Sequence, residues 1–172
     1  MTHSLKTLTR RQLLSRSVAA SAALVVGPGF VAGSDAAWAQ SMTALKPETM
    51  ATLIQMARDI YPHDQVGDQF YAVAVKDYDV PEAVEETEAG ILALDEAARA
   101  AGYDSYLKTG WEKDRVAILT SVQDTAFFQK VRGGLVTGLY NQKDVWPIFG
   151  YEGESYSHGG YIDRGFNDIT WI

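Results

Sequence analysis

From residue 47 onward, apolar residues return at helical intervals along most of the chain. Met50, Leu53, Ile54, Ala57 and Ile60/Tyr61 fall on one face of a helix that opens at Pro47 and stops at Pro62. Glu48 favours the positive end of its dipole. A Tyr61-Pro62-His63-Asp64 turn leads to Asp68, a suitable cap for a short helix running through Phe70, Val73 and Tyr78. A third helix is expected from near Pro81 to Ala101, with Gly102 as its carboxyl-terminal stop and Val84, Ile91, Leu94 and Ala98 as its buried stripe. Trp111, Ile118, Leu119 and Val122 predict a fourth helix. A fifth runs from about Thr125 through Phe127, Phe128, Val131, Leu135 and Leu139 to Asn141. Gly133, Gly134 and Gly138 each weaken it by about 1 kcal/mol relative to Ala, which predicts close approach of another backbone. No stretch alternates with period two between hairpin turns. The expectation is an all-α fold: a compact bundle of four or five helices.

Tyr140 to Ile172 carries neither a helical nor a strand period. It is a long irregular tail in which large aromatics recur every few residues with glycines between them. Glycine admits backbone conformations closed to other residues, and aromatic rings carry the largest contact areas. Such a tail either wraps its own helical body or docks onto another protein.

The amino-terminal segment reads differently. Thr9-Arg10-Arg11-Gln12-Leu13-Leu14 precedes an apolar run from Val18 to Val26, and small residues follow to Ala37-Trp38-Ala39, with Gln40 next. Paired arginines, a moderately apolar middle and an A-x-A site predict a twin-arginine secretory leader over residues 1–39, cut between Ala39 and Gln40. Arg10 and Arg11 would be the residues read by the translocon. The apolar run is too short for a membrane anchor, and Gly27-Pro28-Gly29 interrupts it. Residues 40–172 then form one domain of about 130 residues, with a periplasmic destination.

Removing the leader shifts the charge. Of 15 basic and 22 acidic residues, the leader holds four and one, leaving 11 against 21, a net −10. That balance speaks against nucleic acid or an anionic lipid surface as partner. The absence of cysteine removes disulfides, Cys-ligated iron–sulfur clusters and covalent C-x-x-C-H haem. There is no G-x-x-x-x-G-K-[ST] and no G-x-G-x-x-G between strand and helix, so no cofactor is expected on this chain. An export route for folded proteins on a chain with no cofactor motif is the most informative mismatch in the sequence.

Candidate chemistry is sparse. His63 beside Asp64 reads best as a turn histidine. The glutamates Glu82, Glu85, Glu86 and Glu88 read as a solvated face, with no histidine at helical spacing for a di-metal site. His158 lies between Ser157 and Asp163, but functional triads are assembled from separated parts of a fold. A free-standing periplasmic enzyme using His158 and Asp163 for acid–base work is one alternative, and a binding module for a small ligand is another. No catalytic or metal-binding residue is assigned.

The motifs Ile60-Tyr61-Pro62-His63-Asp64, Phe128-Gln129-Lys130-Val131-Arg132 ahead of Gly138-Leu139-Tyr140, Trp146-Pro147-Ile148-Phe149-Gly150-Tyr151-Glu152-Gly153 and Gly159-Gly160-Tyr161-Ile162-Asp163-Arg164-Gly165-Phe166 together resemble the gluconate 2-dehydrogenase subunit 3 family. The similarity covers most of residues 40–172 and is most specific in the last third. It implies a non-catalytic small subunit that supports maturation of a large FAD-dependent dehydrogenase of the glucose–methanol–choline type. It also implies that this chain carries the export leader for a flavoprotein lacking one, and that a multihaem cytochrome c often accepts the electrons. FAD would then reside on the partner. Trp, Tyr and Arg are favoured hot-spot residues, so Trp146, Phe149, Tyr151, Tyr161, Arg164, Phe166 and Trp171 are the expected partner interface.

Overall fold

A computed structural model describes residues 43–164 and 166. The chain is all-α, with five helices: α1 (Pro47–Ile60), α2 (Asp68–Ala74), α3 (Val84–Ala100), α4 (Glu112–Val122) and α5 (Ala126–Tyr140). Short 3₁₀ turns follow at Lys76–Tyr78, Trp146–Phe149 and Ser155–His158, and no strand occurs among the described residues. The leader positions Arg10, Arg11, Ala37, Ala39 and Gln40, and Trp171 of the tail, lie outside the described residues.

Helix α1 is the centre of the bundle. It opens at Pro47 with Glu48 in its first turn, ends with Arg58 in its last, and packs against each of the other four helices. Leu53, Ile54, Met56 and Ala57 are shut off from solvent, as are Met50 and Ala51 on neighbouring turns. A helix apolar over most of its circumference belongs inside a bundle rather than on it. Each such large side chain contributes roughly 1.5–3 kcal/mol of transfer free energy. Val131, Leu135 and Leu139 of α5, Ile91 and Leu94 of α3, and Ile118 and Leu119 of α4 complete the core.

The glycine-bearing face of α5 meets α2. A Cβ at Gly138 would stand 2.7 Å from the carbonyl oxygen of Ala74, and one at Gly134 would stand 2.8 Å from the Tyr78 hydroxyl. Gly138 permits the close backbone approach expected of it, whereas Gly134 meets a side chain and Gly133 faces open space. Two other expectations shift. Trp111 is not on a buried stripe: it is the extended residue ahead of α4, and its ring is exposed. Val73 is likewise on the outer side of α2, whose buried residues are Tyr71, Ala72 and Ala74.

Two carboxylates hold the periphery to the centre. Asp59, at the end of α1, accepts from Arg115 of α4 through both oxygens, at 2.7 and 3.0 Å, and from the Tyr106 hydroxyl at 2.6 Å. The two charged side chains are 3% and 15% exposed. Arg115 also donates to the Thr109 carbonyl, so the α3–α4 connection is fixed by the same guanidinium. Burial pushes the Tyr106 hydroxyl far above its ordinary pKa, and the neighbouring Asp59 charge adds to the effect. At the other end, Asp79 accepts the backbone N–H groups of Thr43, Ala44 and Leu45 at 2.8, 2.9 and 2.7 Å. Burial disfavours its charge, but the N–H groups of Leu45, Thr43 and Ala44 outweigh that and hold its pKa below the ordinary value.

The glutamate face of α3 is only partly solvated. Glu86 pairs with Lys130 of α5, and Glu88 with Lys46 ahead of α1. Exposed pairs of this kind contribute little to stability, on the order of 0–1 kcal/mol each. They do account for the side of α3 on which these carboxylates lie.

Candidate functional site

Helix α5 ends at Tyr140, and the chain turns back against the bundle. Gln142 secures the turn by donating its side-chain amide to the carbonyls of Phe70 and Gly138, at 2.8 and 2.7 Å. Val145 is fully buried, which pins the start of the Trp146–Phe149 turn to the core. The Trp146 indole N–H donates to the Tyr140 carbonyl at 2.8 Å, satisfying one of the carbonyls left free at a helix end. Gly150 then takes a left-handed conformation, φ 71°, and the Tyr151 N–H closes back on the Trp146 carbonyl at 2.9 Å. Tyr151 packs edge-on against the Trp146 ring, centroids 5.2 Å apart.

The seat beneath this turn is a cluster of four rings. Phe149 stacks edge-on to His63 at 4.9 Å, His63 lies edge-on to Tyr140 at 5.6 Å, and Tyr140 meets Tyr61 at 5.8 Å. The His63 Nε2 and the Tyr140 hydroxyl are 2.6 Å apart. The Tyr71 hydroxyl donates to the Tyr61 carbonyl at 2.6 Å, tying the post-α1 turn to α2. Burial among these groups lowers the His63 pKa from its ordinary value and raises that of Tyr140. His63 is thus a neutral joint between the turn after α1 and the base of the tail.

Beyond Gly150 the rings point into water. Tyr151, Tyr156, Tyr161 and Phe166 are 44%, 92%, 76% and 77% exposed, and Ile162 is exposed beside them. The six expected interface residues that the structure describes therefore divide. Trp146 and Phe149 are turned into the protein's own body, and Arg164 is half-buried and ion-paired to Glu152. Tyr151 leans on Trp146 with one side free, while Tyr161 and Phe166 are open to a partner. Tyr156 and Ile162, which are not among the expected interface residues, are equally open.

Among the described residues the histidine of the tail is bonded to a backbone carbonyl. His158 is exposed, and its Nε2 lies 3.0 Å from the carbonyl oxygen of Glu152 rather than bonded to the Asp163 carboxylate. Ser157 donates to the Glu154 carbonyl. Among the described residues no three His, Asp or Glu side chains gather as metal ligands. Described residues line two open hollows. One of about 600 Å³ lies between α3 and α4 and is walled mainly by Ala97, Ala100, Ala117, Ile118 and Val122. The other, of about 430 Å³, lies against Trp146, Pro147, Tyr151 and Lys143. Neither contains His158 or Asp163.

Comparison with known proteins adds no relative: no protein-family model, no curated protein and no solved structure matches the chain. The resemblance to the gluconate 2-dehydrogenase subunit 3 family accordingly rests on the motifs quoted from the sequence. What the coordinates add is a firmly seated base bearing a run of solvent-exposed rings.

Proposed function

We propose that this chain is a non-catalytic small subunit. It binds an FAD-dependent sugar or sugar-acid dehydrogenase of the glucose–methanol–choline type, supports its maturation and escorts it through the twin-arginine route. Under this reading residues 1–39 are the leader, read by the translocon at Arg10 and Arg11 and cut after Ala39, and residues 40–172 enter the periplasm with the partner. FAD resides on that partner, this chain holds no cofactor of its own, and a multihaem cytochrome c is the further component of the assembly.

The observation that carries the reading is the contrast within the tail. Its base is held by Val145, Trp146 and Phe149, yet Tyr156, Tyr161, Ile162 and Phe166 expose apolar surface to water. Four large apolar side chains exposed within eleven residues are a surface that a partner can cover. The family motifs and the leader pattern supply the identity of the partner.

Isolation of the tagged chain from the periplasm tests the reading directly. The expected result is a yellow complex whose flavin is released on denaturation, and a chain recovered without flavin overturns it. Replacing Arg10 and Arg11 together with lysine should leave both chain and flavoprotein in the cytoplasm.

A further inference from the structure

The aromatic residues of the tail keep a fixed interval. Trp146, Tyr151, Tyr156, Tyr161 and Phe166 are each five residues apart. A small residue stands ahead of the last four: Gly150, Ser155, Gly160 and Gly165. Five is neither the helical nor the strand period, so no regular element imposes it.

The backbone shows what does. Each interval contains one local reversal, closed by a hydrogen bond in three of the four and made by Gly153 alone in the other. The first is Tyr151 N–H to the Trp146 carbonyl at 2.9 Å, with Gly150 left-handed. Gly153 turns the next interval at φ 98°, leading into the 3₁₀ turn at Ser155–His158. The Gly160 N–H then returns to the Ser155 carbonyl at 2.8 Å, with Gly159 and Gly160 both at positive φ. Finally the Arg164 N–H meets the Tyr161 carbonyl at 3.2 Å. Residues with side chains adopt positive φ at a cost, so these glycines permit a chain of tight turns. One ring is delivered per turn. The first ring of the series is half-buried and tied to the Tyr140 carbonyl, and the later ones are in water.

We propose that this five-residue aromatic register is a docking ladder, each exposed ring entering one apolar pocket of the escorted flavoprotein, with basic groups bordering those pockets. The proposal rests on the small-subunit reading above. The sign of the border follows from charge. Between Tyr151 and Phe166 the chain carries Glu152, Glu154 and Asp163 against Arg164 alone. Arg164 is already paired with Glu152, so Glu154 and Asp163 are left to face the partner. Electrostatic complementarity of this kind sets register and partner choice more than raw affinity. The same negative charge disfavours the alternative use of such rings, insertion into an anionic membrane surface.

The test uses the full chain isolated from the periplasm, with flavin per chain as the readout. Tyr156→Ala, Tyr161→Ala and Phe166→Ala should each lower retained flavin several-fold, and the triple variant should abolish it. A single glycine inserted between Ser157 and His158 keeps every ring but breaks the interval, and should cost as much flavin as losing a ring. None of these rings belongs to the core, so the thermal midpoint of the isolated chain should not change. Wild-type flavin retention in the triple variant, or in the insertion variant, overturns the ladder while leaving the escort reading intact. A wild-type chain that carries no flavin overturns the escort reading itself. Binding of the wild-type chain to phosphatidylcholine vesicles, lost in the triple variant, would overturn the ladder by assigning the rings to a membrane.

Discussion

Gly138 and Ala74 meet backbone to backbone: a Cβ on the glycine would lie 2.7 Å from the alanine's carbonyl oxygen and 3.3 Å from its Cα. This contact sets the separation of α5 from α2, and through it the position of Tyr140 and of the tail that follows. The obstacle is main chain, so no rotamer change relieves it.

Gly138→Ala should therefore destabilise the protein by about 1–3 kcal/mol, the usual cost of forcing atoms into a packed site. Gly133→Ala is the internal control. It faces open space and should stabilise α5 by up to about 1 kcal/mol through helix propensity. Thermal or urea unfolding of the two variants measures both, and equal effects would refute the packing account.

Asp59 is the deepest charged group with a partner across the bundle. Removing Arg115 strands the carboxylate, so Arg115→Met should cost on the order of 3–5 kcal/mol. Replacing both residues with alanine should cost less than the sum of the single changes. A double-mutant cycle by denaturant unfolding gives the coupling.

Asp79 makes the amino-terminal segment acid-sensitive. Its folded pKa lies below the ordinary 3.8, so its stabilisation is fully present above that value and is lost as pH falls through it. Protection of the Thr43, Ala44 and Leu45 amides, measured against their intrinsic exchange rates, should fall below about pH 4. In Asp79→Ala these amides should exchange fast at every pH, and the acid step should vanish.

His63 gives a second step nearer neutrality. Burial lowers its folded pKa from 6.5, so the neutral form contributes stability that is complete above 6.5 and declines as pH falls toward the folded value. Phe149, Tyr140, Tyr61, Tyr71 and the nearby Arg58–Asp68 pair surround the joint. His63→Phe should remove this pH dependence below about 6.5. Trp146 fluorescence, which reports the tail base, should then stay constant across that range.

The all-α bundle was readable because its boundaries are written in residues with one conformational meaning. Pro47, Pro62 and Gly102 mark ends that the structure places within a residue or two. Gly138 was readable as a close approach because nothing else justifies a glycine there. Trp111 was not readable: its position fits a helical stripe, but it precedes α4 in an extended conformation and its ring leaves the core. Asp59 and Arg115 are 56 residues apart, a separation no local period can bridge. In the tail, residue type does not tell which rings are open: Tyr156, Tyr161 and Phe166 are exposed, and no local period marks them. Trp146 and Phe149 have the same chemistry as the exposed rings. Only the buried Val145 beside them distinguishes an anchor from a contact.

The clamp at Asp79 also has a bearing on processing. It fastens the chain to the body from Thr43, so a cut after Ala39, as proposed, leaves three residues, Gln40, Ser41 and Met42, ahead of the first clamped amide. Three residues span at most about 11 Å. A membrane-bound peptidase would have to work almost against the surface of a folded domain, or wait for the three Asp79 hydrogen bonds to open. Shedding of the leader would then run at the pace of one local unfastening, which sets how long the subunit stays tethered to the membrane after crossing it.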